Sequence, residues 1–258
     1  LIDNINLLAS HYSGYSADPL SYGTVRDYCD SFDHLNPLAT AVGDLKDCQR
    51  PWVLKAMISQ LHRPSRLIEV GAGEPVIADL LQKLGHEVWI VDPYDGSGHG
   101  PTAFEQYTER YPNLHFVRTV FNDELSGFEE NSFDCVYSIS VLEHVPISAL
   151  AGVFRGLQRF LKEDGLSLHA IDHVLRGNGS EYHRTHLEAL MEGFGFSSAD
   201  LEQLLDRLRQ DIDTYYLSAE SHNRWRGGLT YDQFPMRVCV SIQVIAQAKH
   251  IGVPSTEA

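Results

Sequence analysis

Short apolar strands that alternate with amphipathic helices predict an α/β fold, a mainly parallel sheet covered by helices on both faces. Two further observations complete the prediction. No internal repeat or low-complexity block interrupts the pattern, and the first 50 residues are polar, aromatic and rich in turn formers, so they read as a helical N-terminal cap or lid. No linker divides the chain, so residues 51–258 read as one α/β domain beneath the cap.

In the cap, Tyr12-Ser13-Gly14-Tyr15-Ser16, Asp18-Pro19, Tyr22-Gly23 and Asn36-Pro37 break short helices with turns. Val53, Leu54, Met57, Ile58 and Leu61 then make one helical stripe from Trp52 to Leu61. Leu67–Val70 is a strand ending in Gly71-Ala72-Gly73. Pro75 suits the first position of a helix, where its missing N–H is not needed, and Val76, Ile77, Leu80, Leu81 and Leu84 form that helix's buried face up to Gly85. Val88–Val91 is the next strand, stopped by Asp92-Pro93. A Gly-rich loop (Asp95 to Gly100), a helix from Thr102 to Arg110 and the strands His115–Val117 and Cys135–Ile139 follow. Pro146 opens a helix with Leu150, Val153, Phe154, Leu157 and Leu161 on one face, and Gly165 separates it from the strand Leu166–Ile171. Leu187–Gly193 and Ala199–Gln210 read as helices, Tyr215–Leu217 and Arg237–Gln247 as the last strands.

Composition excludes several classes. The chain has 258 residues, 43% apolar and 21% charged, which is ordinary globular usage and rules out wholesale disorder. Its net charge of −15 repels phosphate backbones, so nucleic acid is not the expected partner. Apolar runs such as Val238–Ala246 are too short to span a bilayer, and no charged leader opens the sequence, so neither membrane insertion nor secretion is expected. Cys29, Cys48, Cys135 and Cys239 lie far apart without C-x-x-C spacing and read as thiols of a cytoplasmic protein.

The sharpest signal is Glu69-Val70-Gly71-Ala72-Gly73-Glu74-Pro75 between a strand and a helix. Glycines there let the backbone turn tightly and approach a ligand. Asp92 follows 21 residues after Gly71 at the end of the next strand, placed to accept hydrogen bonds from ribose hydroxyls. A dinucleotide fingerprint wants a third Gly where Val76 stands, and Glu74 would repel a diphosphate. Two carboxylates, Glu69 and Glu74, suit a ligand with an ammonium and a sulfonium and no phosphate, which is S-adenosylmethionine.

With Glu69–Gly73, Asp92, and the stretch Asn131-Ser132-Phe133-Asp134-Cys135-Val136-Tyr137-Ser138 running on to Val141-Leu142-Glu143-His144-Val145, the chain resembles the class I S-adenosylmethionine-dependent methyltransferases of the small-molecule branch, over about residues 65–172 and the final strands. Two departures stand out. Pro75 stands for the usual later glycine of the first motif, and the acid commonly found near the adenine is displaced to Asn122-Asp123. The resemblance implies a Rossmann-like, seven-stranded, mostly parallel sheet. It implies that Glu69 shapes the loop, that Gly71 and Gly73 lie under the cofactor's amino-acid part, and that Asp92 binds ribose beside Tyr94. Asn122 or Asp123 would meet the adenine amino group, Ser138 and Ile139 would line the methionine chain, and S-adenosylhomocysteine would be the product.

Methyl transfer from a sulfonium needs an in-line geometry, and a hydroxyl acceptor also calls for a general base. The candidates are His144 after the fourth strand, which reads equally as a helix-entry hydrogen bonder, and Asp172 and His173 after the fifth. His169, His173, His183 and His186 with Asp172 show no firm three-ligand spacing, so no metal is expected. Ser138–Val141 stands where base-methylating enzymes carry N/D-P-P-Y/F. Arg224, Arg226 and Tyr231 form a basic, aromatic patch suited to an anionic or sugar-like acceptor, or a surface loop paired with acids. Residues 11–28, with Tyr15, read either as a lid over the substrate or as a packing arm. The expected function is O-methylation, less readily N-methylation, of a small molecule in specialised biosynthesis. The alternatives are a catalytically silent methyltransferase-like subunit and a nicotinamide-dependent oxidoreductase. Oligomeric state is not legible.

Overall fold

A computed structural model describes residues 3–40, 42–97, 100–217 and 238–255. Seven strands form one sheet in the order β1-β7-β6-β5-β2-β3-β4: β1 (Leu20–Tyr22), β2 (Arg66–Val70), β3 (Glu87–Val91), β4 (His115–Val117), β5 (Phe133–Ile139), β6 (Leu161–Arg176) and β7 (Val238–Gln247). The pairs β6–β5, β5–β2, β2–β3 and β3–β4 are parallel, while β7 runs antiparallel to both its neighbours. The helices are α1 (Ile5–Tyr12), α2 (Val25–Asp33), α3 (Lys46–Gln60), α4 (Val76–Lys83), α5 (Phe104–Arg110), α6 (Ile147–Phe160), α7 (Ser180–Gly193) and α8 (Ser198–Gln210).

Strand parity builds two cores. Ile68, Val70, Val136, Ile242 and Val244 pack with Leu150, Phe154, Leu190 and Leu204 of α6–α8. Leu67, Ile90, Tyr137 and Ala170 pack on the other face with Trp52, Met57, Ile77 and Leu81 of α3 and α4. Strands buried on both faces read as unbroken apolar runs, which is why the sequence shows them clearly.

The count of seven strands agrees with the sequence reading, but one strand differs. Tyr215–Leu217 contributes only an isolated bridge, Tyr216 to Val240. The seventh strand is β1, inside the segment read as a helical cap, and it pairs Leu20 with Val244 and Tyr22 with Ile242. Three residues between Pro19 and Gly23 are too few to show alternation. Long β7 leaves an open edge that β1 and then Tyr216 fill in turn. Helix α3 also begins at Lys46, six residues before the stripe at Trp52, and carries Pro51 inside it.

α1 buries Leu8 and Tyr12 in the α3–α4 core. α2 is fixed by a Thr24/Asp27 capping box and by Lys55 of α3, which is buried and bonds Asp27 Oδ1 at 2.7 Å and Asp30 Oδ2 at 2.6 Å.

Candidate active site

In this sheet the crossover connections from β2 and β5 leave to opposite sides, and ligands of open α/β sheets settle at the carboxyl ends beside such a switch point. A cleft of about 670 Å³ opens there, with Gly71, Asp92, Asn122, Ser140, Val141 and His144 among its walls.

The floor is built by β2 and its turn. Gly71 has φ +64, and a Cβ on it would lie 2.8 Å from both Cγ atoms of Val141, so neither the conformation nor the space admits a side chain. Asp92, at the end of β3, is buried and receives two backbone N–H groups, Tyr94 at 2.7 Å on Oδ1 and Gly73 at 3.2 Å on Oδ2. The Tyr94 hydroxyl donates to the Gly73 carbonyl at 3.0 Å. Asp92 and Tyr94 thus hold the N–H and the carbonyl of Gly73, and Tyr94 is a buried brace of the loop. Burial raises the Asp92 carboxyl above its usual value, against the pull of the two N–H groups.

Glu69 lies beneath the turn, fully enclosed, and accepts the Tyr137 hydroxyl at 2.9 Å. Burial pushes its carboxyl up to about 7, although the Tyr137 bond and the nearby Arg50 guanidinium pull the other way. Glu74 corrects the sequence argument. Its Oε1 accepts Arg110 Nη1 at 2.6 Å and the Tyr111 hydroxyl at 2.9 Å, so it is turned toward α5 with its charge offset and is not a wall of the cleft.

Across the cleft, Asn122 and Asp123 sit in the loop after β4. Asn122 Oδ1 accepts the Glu124 N–H at 2.9 Å, and Asp123 Oδ2 accepts Arg155 Nε at 2.6 Å.

A family model described as a methyltransferase domain matches residues 49–208, which is well over half of the chain. The chain belongs to this methyltransferase family. Among solved structures it is similar to the YcgJ protein of Bacillus subtilis, with 18% identity and a TM-score of 0.48 over 79% of this chain and 99% of that one. It is also similar to a Haemonchus contortus phosphoethanolamine N-methyltransferase 2, crystallised with phosphomonomethylethanolamine and S-adenosylhomocysteine. That likeness has 18% identity and a TM-score of 0.46 over 77% of this chain and 52% of that longer one. A third is the Burkholderia thailandensis 1,6-didemethyltoxoflavin-N1-methyltransferase, with 18% identity and a TM-score of 0.42 over 86% and 84%.

In this methyltransferase the carboxyl ends of β5 and β6 carry the remaining candidates. Ser138 is fully buried and its Oγ lies 2.7 Å from His169 Nδ1, whose Nε2 meets Ser167 Oγ at 2.7 Å. Ile139 packs into the α3–α4 core. Neither lines the cleft. Ser140 does, because its φ of +54 turns the chain out of the strand. Its Oγ is 2.8 Å from Gln49 Oε1 and 2.8 Å from Asp172 Oδ1, and Gln49 Nε2 donates to the same Asp172 oxygen at 2.7 Å. Asp172 therefore joins the site through Ser140. Its N–H donates to Glu143 Oε1 at 3.1 Å, and burial, reinforced by Asp172, holds the Glu143 carboxyl far above the ordinary range.

His144 is exposed on the cleft wall, at the end of the 3₁₀ turn Leu142–His144. His173 is buried away from the cleft, and burial pushes its imidazole down to about 3, so it is neutral near pH 7. Tyr15 lies under Lys55, 4.9 Å from its Nζ, at the α2–α3 junction and outside the cleft wall. Arg224, Arg226 and Tyr231 lie outside the described residues. Among the described residues no group of three or more His, Cys, Asp or Glu is placed to hold a metal ion, and no helix is long and apolar enough to cross a membrane.

Gln49, Ser140 and Glu143 were not singled out by sequence reasoning. Gln49 and Asp172 are 123 positions apart, and no periodicity links them.

Proposed function

We propose that this methyltransferase binds S-adenosylmethionine in the cleft at the β2–β5 switch point and transfers its methyl group to an oxygen, or alternatively a nitrogen, of a small-molecule metabolite. The observation that carries the reading is Asp92: a buried carboxylate at a strand end, aligned by two backbone N–H groups, with lone pairs left for two vicinal hydroxyls. The Gly71 turn supports it, since it brings bare backbone to the cleft floor where the ligand's amino-acid end would lie. S-adenosylmethionine supplies an electrophilic methyl on a sulfonium. Asp92 orients the ribose, Gly71 and Gly73 seat the amino-acid end, and Glu69 and Tyr94 hold the shape of the turn.

His144 is the general base in this reading. It stands on the cleft wall, whereas His173 lies in the core, and Asp172 acts from behind Ser140. With bound S-adenosylmethionine supplying the methyl group, His144 would accept the proton of an acceptor hydroxyl held in the cleft. An acidic chain whose four cysteines are all free thiols supports a cytoplasmic setting and a small-molecule rather than a nucleic-acid acceptor. Titration calorimetry with S-adenosylmethionine, S-adenosylhomocysteine and NADH tests the reading. The first two bind and NADH does not; binding of NADH alone would overturn it. Cofactor binding together with methyl transfer by a His144→Ala variant at the wild-type rate would remove the base assignment.

A further inference from the structure

We infer that Ser140 holds the methyl acceptor by accepting a hydrogen bond from it, and that the group held is a protonated amine, which the acceptor carries in addition to the atom that takes the methyl. This rests on the methyl-transfer reading above and adds to it the chemical class of the acceptor.

Ser140 is a cleft-wall residue with φ +54, a left-handed conformation that a serine adopts only at a cost, and such outliers persist where the surroundings hold them. Two neighbours hold this one. The Ser140 N–H donates to the Ala170 carbonyl at 2.8 Å, and the next side chain, Val141, abuts Gly71 so closely that a Cβ on the glycine would stand 2.8 Å from it. The serine is thereby fixed beside the turn that seats the amino-acid end of the cofactor, next to the sulfonium.

The hydroxyl has no proton to offer a ligand. Ser140 Oγ carries one proton and has two oxygens to receive it, Asp172 Oδ1 and Gln49 Oε1, each at 2.8 Å. Gln49 supplies no proton to either contact. Its Nε2 donates to the same Asp172 oxygen at 2.7 Å, which turns Oε1 toward the serine. Asp172, as a carboxylate, only accepts. Whichever oxygen takes the serine proton, none is left for the cleft, and Oγ meets a ligand with a lone pair. The acceptor therefore brings the donor.

Charge selects among donors. Asp172 is half-buried directly behind Oγ, and among the described residues no Lys, Arg or His forms an ion pair with it. Glu143, whose Oε1 takes the Asp172 N–H at 3.1 Å, is kept neutral by burial, and so is the imidazole of His173. Lys46 of α3 acts on Glu143 without pairing with Asp172. The carboxylate of Asp172 is thus attended by the neutral groups of Gln49, Ser140 and Glu143. An ammonium on Ser140 Oγ would be drawn by that charge, a hydroxyl would gain less, and an anion would be repelled.

The test uses the full chain saturated with S-adenosylhomocysteine, so that small probes cannot enter the cofactor's part of the cleft, and ligand-observed saturation-transfer NMR at physiological ionic strength. The probes are two matched series: phenethylamine, phenethyl alcohol and phenylacetate, then benzylamine, benzyl alcohol and benzoate. In each series the amine binds wild type about tenfold more tightly than the alcohol, the step from a neutral to a charge-assisted hydrogen bond, and the carboxylate binds most weakly. Asp172→Asn keeps the shape and removes the charge, so amine and alcohol bind it within about twofold of each other. Ser140→Ala weakens the amine about tenfold, with circular dichroism confirming an intact fold. Equal binding of amine and alcohol by wild type overturns the inference, as does tightest binding by the carboxylate, which the Arg224 and Arg226 patch would favour. An amine preference that survives in Asp172→Asn also overturns it, because the net charge of −15 would then be its source. Failure of every probe to bind counts the same way. If wild type binds no S-adenosylhomocysteine, the proposed function falls and this inference with it; cofactor binding without an amine preference removes this inference alone.

Discussion

Asp92→Asn changes one oxygen to an amide nitrogen in a side chain of the same size. In the native site two backbone N–H groups converge on the carboxylate, Tyr94 at 2.7 Å and Gly73 at 3.2 Å. Asparagine has one acceptor oxygen, so it keeps the shorter Tyr94 bond and turns its NH2 toward the Gly73 N–H, donor against donor. The same rotation replaces one of the two acceptors offered to the ribose hydroxyls, and the charge is lost. A hydrogen bond to a charged group contributes about 1.5–3 kcal/mol. Loss of one such contact to the ligand weakens affinity by about 10- to 150-fold. The assay is titration calorimetry of S-adenosylhomocysteine at pH 7.5, with circular dichroism to confirm an intact fold. A folded Asp92→Asn variant that binds within twofold of wild type refutes the ribose assignment.

Two further outcomes follow from the same turn. Gly71→Ala places a Cβ at φ +64 and 2.8 Å from Val141, so left-handed strain and overpacking together destabilise the fold by about 2–4 kcal/mol, read by urea unfolding; a loss under about 0.5 kcal/mol contradicts the crowding. The Glu69 carboxyl is raised from 4.5 to about 7 in the fold, so the native state keeps a proton that the unfolded chain releases. That contribution is whole below pH 4.5 and is lost as pH rises through 7, up to about 3 kcal/mol in all. Glu69→Gln stays neutral throughout, so wild type loses stability relative to the variant between pH 5 and 8, and a flat difference across that range refutes the assignment.

Several elements are legible in the sequence for local reasons. The runs Leu67–Val70 and Val88–Val91 are apolar because both faces of the sheet are covered. Gly71, Gly73 and Asp92 are conspicuous because a tight turn and a strand-end acid are short-range features. β1 is not legible, because its three residues gain their hydrogen bonds from an edge of β7 over 200 positions away. The step from Ser138 to Ser140 is not legible either. Alternation gives parity along a strand but not where the strand ends, and the left-handed turn at Ser140 moves the cleft-facing position past it.

The sequence by itself determined the alternation of strands and helices, the Gly-rich turn, the acid after β3 and hence the place where a nucleoside would lie, because each depends on neighbours in the chain. Only the tertiary structure decided which of these side chains reach the cleft. Glu74 is turned to Arg110 and His173 is made neutral by burial, whereas Asp92, Asn122, Asp123 and His144 line the cleft. A side chain's availability depends on what folds against it, and those partners come from distant parts of the chain that no local pattern connects.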